Sequence, residues 1–584
     1  MKASRLGRHA RPLAILACFS FLLLHAGHNL PAQTKAPTQE PPPADILADG
    51  VGAEQVALIN DAIAKAWQEN KIEPSQRCSD HEFIRRATLD IIGRIATVPE
   101  IEQYLKDPAR ERRSRLIERL LAMPEYATYW ANHWTILLLT RRGADKLHQD
   151  QMRVWLEDKL TESKDHVPAW DRIVAEILTA TGRTNENGAV NFTLAHLGEL
   201  VKESSVDGEG YDMVPLTSRV TRLFLGIRTQ CVQCHDHPFN EEMGQHQFWG
   251  LNAFLRQVEA PQGRPGVTRQ NNLAARQHEI RDNANLNPRS LVPYERRSGV
   301  LLYIDPTFLD GRKMVRKPGQ TRRQALADRI TRSPDFARAH VNRMWAHFFG
   351  RGFSKDAVDD FGEHNPLSHP VLLDRLAGDW AHRYGHNPKE LIRWICNSRP
   401  YHLSSIANPS NDKPEDEAYF ARMLLKPMSP EQLFESLMIA TQARAGQVED
   451  RKAKLSEEWL DKLIDNFGDD EGNERSFSGT VVQALLLMHG KEIDEAITDK
   501  KHGTVATVLK NRAHSRLAIR EAISDLFLAA LNRPPTRDEL DKIQDRRSVV
   551  LSQTKIRDPS AFVSAFYQDL FWAILNSNEF ILNH

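Results

Sequence analysis

The sequence has few cysteines for its length and no excess of charge of either sign. Five cysteines in 584 residues are too few for a disulfide framework. The 77 lysines and arginines balance the 77 aspartates and glutamates, so net charge does not indicate a nucleic-acid partner. The body of the chain also lacks an apolar run of about 18 residues, which a membrane-spanning helix needs. We therefore expect no integral membrane span there.

Common catalytic motifs are missing as well. We find no G-x-S-x-G, Walker A, dinucleotide-binding or H-E-x-x-H pattern, and no nucleophile with an evident base. Composition is that of a globular protein, with 41% hydrophobic residues, 11 tryptophans and 23 phenylalanines available for cores. The sequence leaves open whether the protein is an enzyme, and it does not identify a substrate.

The N-terminal region predicts export. Residues 1–32 carry four cations and no acid, a short apolar run (Leu13–Leu24) and a small-residue cleavage site after Ala32. An uncleaved anchor is the alternative. Removing residues 1–32 leaves 73 cations against 77 anions, a formal net charge of −4. Residues 33–51 are a Pro-rich linker. We expect a secreted or periplasmic protein whose partners, if any, are themselves exported.

Helical periodicity dominates the rest of the chain. We predict a mainly α fold of two packed helical domains with few short strands, covering residues 52–258 and 321–584 around an irregular connector at 259–320. Apolar spacing predicts a helix over Thr217–Thr229, and "GVLLYID" (299–305) is the best strand candidate.

Capping patterns place several helices in the second half. Ser333 precedes a helix that Gly350 closes, and Ser368 is the expected cap of the next one. An aromatic stripe from Tyr129 to Trp134 in the first half is interpreted as core packing. Further helices are predicted near 388–399, 430–442, 455–465, 514–531, 536–549 and 560–577.

The stretch "GIRTQCVQCHDHPF" (226–239) concentrates reactive side chains. It contains C-x-x-C-H, in which two thiols three residues apart can form thioethers with the vinyl groups of one haem. The adjacent histidine is then held against the iron as proximal ligand. This motif predicts c-type haem on Cys231, Cys234 and His235. No sixth ligand is evident, since Met243 lies only eight residues beyond His235.

Two other interpretations of the cluster remain open. A metal ion is one, since zinc favours Cys and His ligands such as Cys231, Cys234, His235 and His237. The other is structural: a Cys231–Cys234 disulfide or thiol pair, with Asp236 and His237 making turn and cap hydrogen bonds. In that case the protein would be an extracellular interaction or polymer-degradation accessory protein.

A metal-dependent enzyme is the remaining alternative. It would use His235, His237 and Asp236 together with Asp359 or Asp360, which are paired carboxylates near a turn. Such pairs more often cap helices and anchor loops. The histidines of the second half are interpreted as interface or capping residues; they are His347, His364, His369, His382 and His386.

The chain resembles the exported two-domain proteins, abundant in planctomycetes, whose halves are called DUF 1549 (a planctomycete cytochrome-C-type domain) and DUF 1553. The segments that carry the resemblance lie, in the first half, at 83–105, 129–134 and 224–240 and, in the second, at 340–377, 395–405, 530–540 and 569–584. The resemblance implies that Cys231, Cys234 and His235 are the haem-type motif. It implies no biochemical activity.

Overall fold

The computed structural model describes residues 52–141, 146–205, 208–237, 243–261, 278–283, 291–315, 317–443, 491–499, 501–512, 518–553 and 559–584. The helices before residue 260 are α1 (Ala53–Asn70), α2 (Asp80–Ile92), α3 (Val98–Lys106), α4 (Arg112–Ala122), α5 (Pro124–Leu139), α6 (Lys146–Leu160), α7 (Trp170–Thr179), α8 (Val190–Ala195), α9 (Val214–Leu225) and α10 (Gln245–Leu255). Those after residue 320 are α11 (Arg322–Thr331), α12 (Pro334–Phe349), α13 (Pro370–His382), α14 (Pro388–Asn397), α15 (Pro430–Thr441), α16 (Lys491–Thr498), α17 (Thr504–Arg512), α18 (Ala518–Leu531), α19 (Arg537–Gln553), α20 (Pro559–Leu575) and α21 (Asn578–Ile581). The prediction of a mainly α fold is confirmed.

Strands are short and antiparallel in the described part of the chain. They are β1 (Gly182–Arg183), β2 (Leu200–Ser205), β3 (Gly208–Tyr211), β4 (Val258–Glu259), β5 (Glu279–Asp282), β6 (Val292–Glu295), β7 (Leu301–Ile304), β8 (Lys426–Pro427) and β9 (Leu582–Asn583). The three-stranded sheet has the order β1-β5-β4, and β2–β3, β6–β7 and β8–β9 are pairs. The predicted strand in "GVLLYID" is β7, which pairs with β6 so that Tyr294 faces Leu302.

Local capping explains where several helices begin and end. Ser333 accepts a hydrogen bond from the backbone nitrogen of Asp335 at 3.3 Å, and Gly350 closes α12 in the left-handed conformation (φ 79°). Both predictions for this helix are confirmed. The predicted cap of the next helix, Ser368, is wrong by one residue, because His369 is the residue that precedes α13. The Ser368 hydroxyl instead donates to the carbonyl of Phe353 at 3.1 Å.

The helix predicted over Thr217–Thr229 is shorter at its C-terminal end. It begins at Val214 and ends at Leu225, where Gly226 adopts φ 67°. Left-handed backbone is accessible to glycine at little cost, and it stops a helix by turning the chain away from the axis. The cysteine motif is therefore delivered by an irregular segment after α9 and not by the helix itself.

Two hydrophobic cores hold the described elements together. The larger draws buried residues from Val56 to Met423, so it includes elements on both sides of the predicted connector at 259–320. The smaller joins residues from Met428 to Ile581 and receives Leu89 and Ile95 from the first half. The aromatic stripe packs as predicted, with Trp130 and Trp134 buried.

Helix α2 is tied to the C-terminal residues of the chain by buried polar groups. Arg85 donates to the carbonyl oxygens of Ala530 (3.0 Å) and Phe580 (2.7 Å), which satisfies a charge that burial would otherwise penalise. On the same helix, Asp90 accepts from Lys426 Nζ and Asn583 Nδ2, both at 2.7 Å. The hydroxyl of Tyr401 also donates to Asp90 at 2.7 Å.

Several predictions fall outside the described residues. These are the signal peptide at 1–32, the linker at 33–51 and the helix near 455–465. Within the described ranges, no helix has both the length and the apolarity that crossing a membrane requires.

Candidate functional site

The cysteine motif lies on a single turn of 3-10 helix, Gln230–Gln233, that packs against α10. Val232 is fully buried beneath this turn, in a small cluster with Met243 and Phe248. The carbonyl of Gln233 accepts two side-chain hydrogen bonds, from Gln245 Nε2 and Trp249 Nε1, each at 3.1 Å. These contacts fix the turn from the inside and leave its outer side to solvent.

Both cysteines of the motif occupy that outer side. Cys231 and Cys234 are exposed and are not joined in a disulfide, whereas Cys78 and Cys396 are buried. The backbone nitrogen of Cys234 approaches the carbonyl of Cys231 at 3.4 Å, so both residues belong to the same turn. Two exposed thiols thus lie three residues apart on one turn.

The imidazole of His235 has its tautomer set by a backbone contact. Its Nδ1 lies 2.7 Å from the carbonyl oxygen of Asp236. A carbonyl oxygen only accepts hydrogen bonds, so Nδ1 carries the proton and the neutral ring has its lone pair on Nε2. Metal-binding histidines in proteins are usually oriented in this way, with one nitrogen donating and the other ligating.

Asp236 has a structural partner. Its Oδ1 accepts from the backbone nitrogen of Gln245 at 2.9 Å, in the first turn of α10. A carboxylate at this end of a helix satisfies an otherwise unbonded N–H group and interacts favourably with the helix dipole. The carboxylate therefore anchors the residues after the motif to α10.

A loop from the second half of the chain packs against this region. The backbone nitrogen of Phe361 donates to the carbonyl of Gly226 at 2.7 Å. Asn365, which is buried, donates from Nδ2 to the carbonyls of Ala357 (2.7 Å) and Asp360 (2.9 Å), and these bonds hold the loop in shape. The loop is thereby fixed directly against the end of α9.

The paired carboxylates Asp359 and Asp360 lie in this loop but have different surroundings. Asp359 is buried and forms ion pairs with Arg222 and with Arg228, whose terminal nitrogen is 2.8 Å away. Burial acts to raise the pKa of Asp359, but the two guanidinium groups outweigh it and lower the pKa. Asp359 is thus a charged structural residue that ties the loop to α9.

Asp360 faces a different group of side chains. Its Oδ2 is 3.2 Å from Nε2 of His364, and the rings of His364 and His237 are 5.3 Å apart between centroids. In the described part of the chain, His237, Asp360 and His364 are the group of three whose potential metal-ligand atoms all lie within 4.8 Å of one another. Each of the three is half-buried.

The predicted metal residues are thus divided between two environments. His237 comes together with Asp360, whereas His235 and Asp236 are not in that group. His364 was interpreted from the sequence as an interface or capping residue and is the member that sequence reasoning missed. The Asp360-x-x-x-His364 spacing is visible in the sequence as a possible ligand pair. The approach of His237 is not visible there, because it joins residues more than a hundred positions apart.

The pKa of His237 is lowered at this site. Partial burial is the largest cause, and His364 and His235 add to it, whereas Asp360 opposes it. A lowered pKa keeps the imidazole neutral at neutral pH, which is the form that binds metal ions.

Three other histidines of the second half have structural contacts. His347 Nε2 lies 3.0 Å from the carbonyl of Asp90, and His369 Nδ1 lies 2.9 Å from the hydroxyl of Ser368. His386 Nδ1 is 3.6 Å from Asp171. Met243, considered from the sequence as an iron ligand, packs in the buried cluster under the cysteine turn.

Comparison with known proteins identifies both halves of the chain. Residues 58–260 match the family model PSCyt2, a protein of unknown function (DUF1549). Residues 322–463 match PSD1, a protein of unknown function (DUF1553). The chain is a DUF1549–DUF1553 protein. Neither the curated proteins nor the solved structures gave a significant match.

The matched ranges locate the site within this family arrangement. The DUF1549 part carries the cysteine turn and His237, and the DUF1553 part carries the loop with Asp360 and His364. Contacts between the two parts, Phe361 with Gly226 and Asp359 with Arg222 and Arg228, position the loop. The candidate site therefore requires both parts.

Proposed function

We propose that this DUF1549–DUF1553 protein is exported and carries a c-type haem on Cys231 and Cys234, with His235 as the proximal ligand. The observation that supports the proposal is the pair of exposed, unbridged thiols on one turn next to an imidazole whose Nε2 lone pair is available. Exposed thiols are what attachment needs, because the attaching machinery must reach both sulfur atoms.

The chain's own groups have distinct roles in this proposal. Cys231 and Cys234 would hold the haem: each thiol would add across one vinyl double bond, with sulfur bonding to one carbon and the proton passing to the other, so that no group leaves. Val232, buried under the turn, keeps the two sulfur atoms on the outer side. His235 is oriented by the Asp236 carbonyl so that Nε2 faces away from it. When bound, the haem would supply one-electron redox chemistry.

Export supports the same proposal, because the haem of c-type proteins is attached outside the cytoplasm. The N-terminal 32 residues have the cations, apolar run and cleavage site of a secretory signal.

The test is to produce the full chain in bacteria that attach haem in the periplasm and to analyse the mature protein after denaturation. We expect haem to remain bound on a denaturing gel and to be found by mass spectrometry on the peptide with Cys231 and Cys234. The variant C231S/C234S should lose it. The matched control is C78A, which removes a buried cysteine outside the motif and should keep the haem.

Thiol labelling can show that haem is not attached to Cys231 and Cys234. If the exported, mature protein has Cys231 and Cys234 free to react with an alkylating reagent and contains no covalent haem, the proposal is wrong. The buried Cys78 and Cys396 serve as the internal standard, since they should react only after unfolding.

A further inference from the structure

We propose that His237, Asp360 and His364 form a binding site for a divalent first-row transition metal ion, at the contact between the DUF1549 and DUF1553 parts. The site is separate from the cysteine motif and goes beyond the proposed haem attachment. It consists of two imidazoles and one carboxylate, a ligand set found in mononuclear zinc sites and in non-haem iron(II) sites.

Geometry is the first argument for this site. The potential ligand atoms of all three residues lie within 4.8 Å of one another. Two opposite bonds of about 2.2 Å span about 4.4 Å, so the atoms need to move only slightly closer to bind one ion. Asp360 and His364 are already in contact at 3.2 Å. Small rotations of three side chains would bring the ligand atoms onto a common centre.

The backbone around each ligand is held in place. The backbone nitrogen of His237 donates to the carbonyl of Met243 at 2.8 Å. On the other side, buried Asn365 donates to the carbonyl of Asp360, and its own backbone nitrogen donates to Gly362 at 3.0 Å. Fixed backbone at both ligand segments reduces the entropy that ordering a site would cost on binding.

Ligand chemistry favours an N/O site and not a thiolate site. Neither Cys231 nor Cys234 belongs to the group of close ligand atoms in the described residues. The neighbouring Asp359 is neutralised by Arg222 and Arg228, so Asp360 is the carboxylate left to balance the charge of an ion. Three protein ligands leave open positions for water, which is the pattern of catalytic metal sites rather than closed structural ones.

The test uses metal-free, full-length C231S/C234S protein, which cannot attach haem and has no motif thiols to bind metal. Calorimetric titration with zinc chloride should show one saturable equivalent. D360N and H364Q, each in the same background, should weaken binding more than about 100-fold, since removal of outer contacts alone costs 10–100-fold. H382Q, which changes an exposed histidine of α13, should bind as the parent does.

Two further measurements make the result decisive. Circular dichroism should show that D360N and H364Q are folded, and zinc should raise the melting temperature of the parent but not of these variants. The proposal is overturned by the absence of saturable binding in the parent. Equal binding in D360N and H364Q would overturn it too.

Discussion

The backbone nitrogen of Phe361 donates a hydrogen bond of 2.7 Å to the carbonyl oxygen of Gly226, and this bond joins the two family parts beside the candidate site. Gly226 has two roles there, since its left-handed backbone also ends α9. Gly226 therefore determines both where the chain leaves α9 toward the cysteines and where the DUF1553 loop is attached.

Replacing Gly226 by alanine is expected to destabilise the protein. The new Cβ would lie 2.8 Å from the ring of Phe361, and the backbone φ of 67° is unfavourable for alanine. We expect a loss of about 1–3 kcal/mol in the free energy of unfolding, measured by urea denaturation.

G378A is the control: that glycine lies within α13 with nothing near its Cβ position. Alanine there should be neutral or stabilise by up to about 1 kcal/mol. Equal effects of the two substitutions would contradict the role of Gly226.

The substitution Asp359→Asn should lower the free energy of unfolding, and the size of that loss should depend on pH. The substitution removes a buried charge that forms ion pairs with Arg222 and Arg228, and we expect a loss of about 3–5 kcal/mol in the free energy of unfolding at pH 7. The pKa of Asp359 is lower in the folded state, so its contribution is complete above the unfolded value of about 4. It disappears as the pH falls through the folded pKa.

The measurement is the stability difference between wild type and D359N over the pH range. The difference should be constant from about pH 7 to pH 5 and should shrink below about pH 4. D310N is the matched control, because that carboxylate is 41% exposed and its ion pairs should contribute less than about 1 kcal/mol. A pH-independent difference for D359N would exclude a charged Asp359 in the folded state.

The neighbouring imidazoles of His133 and His347, which meet edge to face, predict sensitivity to mild acid. Burial lowers the pKa of each to about 3, and their mutual proximity, with ring centroids 5.1 Å apart, adds to the effect on His133. Below about pH 6.5, the ordinary pKa of histidine, the unfolded chain therefore binds protons more readily than the folded chain does. The free energy of unfolding is therefore unaffected by these groups above about pH 6.5. It decreases as the pH falls toward 3, by up to about 1.4 kcal/mol per pH unit for each histidine.

His347→Gln should reduce this slope, since glutamine can still donate to the carbonyl of Asp90 and does not titrate. Urea unfolding followed between pH 7 and pH 4 is the measurement, with H382Q as a control in an exposed position. If wild type and H347Q lose stability equally over that range, His347 does not contribute to acid sensitivity.

The buried pair Asp90 and Lys426 should show strong coupling. Their contact of 2.7 Å lies where β8 meets the C-terminal residues, and loss of one partner leaves the other charge buried. D90N or K426M alone should each cost about 3–5 kcal/mol. The double variant should cost less than the sum by about 1–3 kcal/mol in a double-mutant cycle of urea denaturation. Additive losses would mean that the two charges do not stabilise each other.

The sequence predicted most of the described helices because apolar spacing and caps are local signals. Ser333 and Gly350 bracket α12 as expected, and "GVLLYID" is β7. One boundary was wrong. Gly226 ends α9 four residues before the predicted boundary, because a left-handed glycine stops a helix. Phe361 from the other half then bonds to its carbonyl.

The candidate site was only partly visible in the sequence. The C-x-x-C-H motif is contiguous, so its two thiols and its histidine could be identified from spacing alone. The group of His237, Asp360 and His364 depends on packing between segments more than a hundred residues apart. Asp359 and Asp360 look equivalent in the sequence, and only the positions of Arg222 and Arg228 separate their roles.

The hydrogen bond from Arg85 to the carbonyl of Phe580 has a consequence for how the chain reaches its folded state. The two residues are 495 positions apart, and Arg85 has no access to that acceptor until all the residues between them have been synthesised. At synthesis rates of about 5–20 residues per second, α2 exists for roughly half a minute or longer without its final partner. The buried side chain of Arg85 therefore lacks this acceptor during that interval. Chaperone dependence and susceptibility to proteolysis should concentrate in this stage of the chain's lifetime.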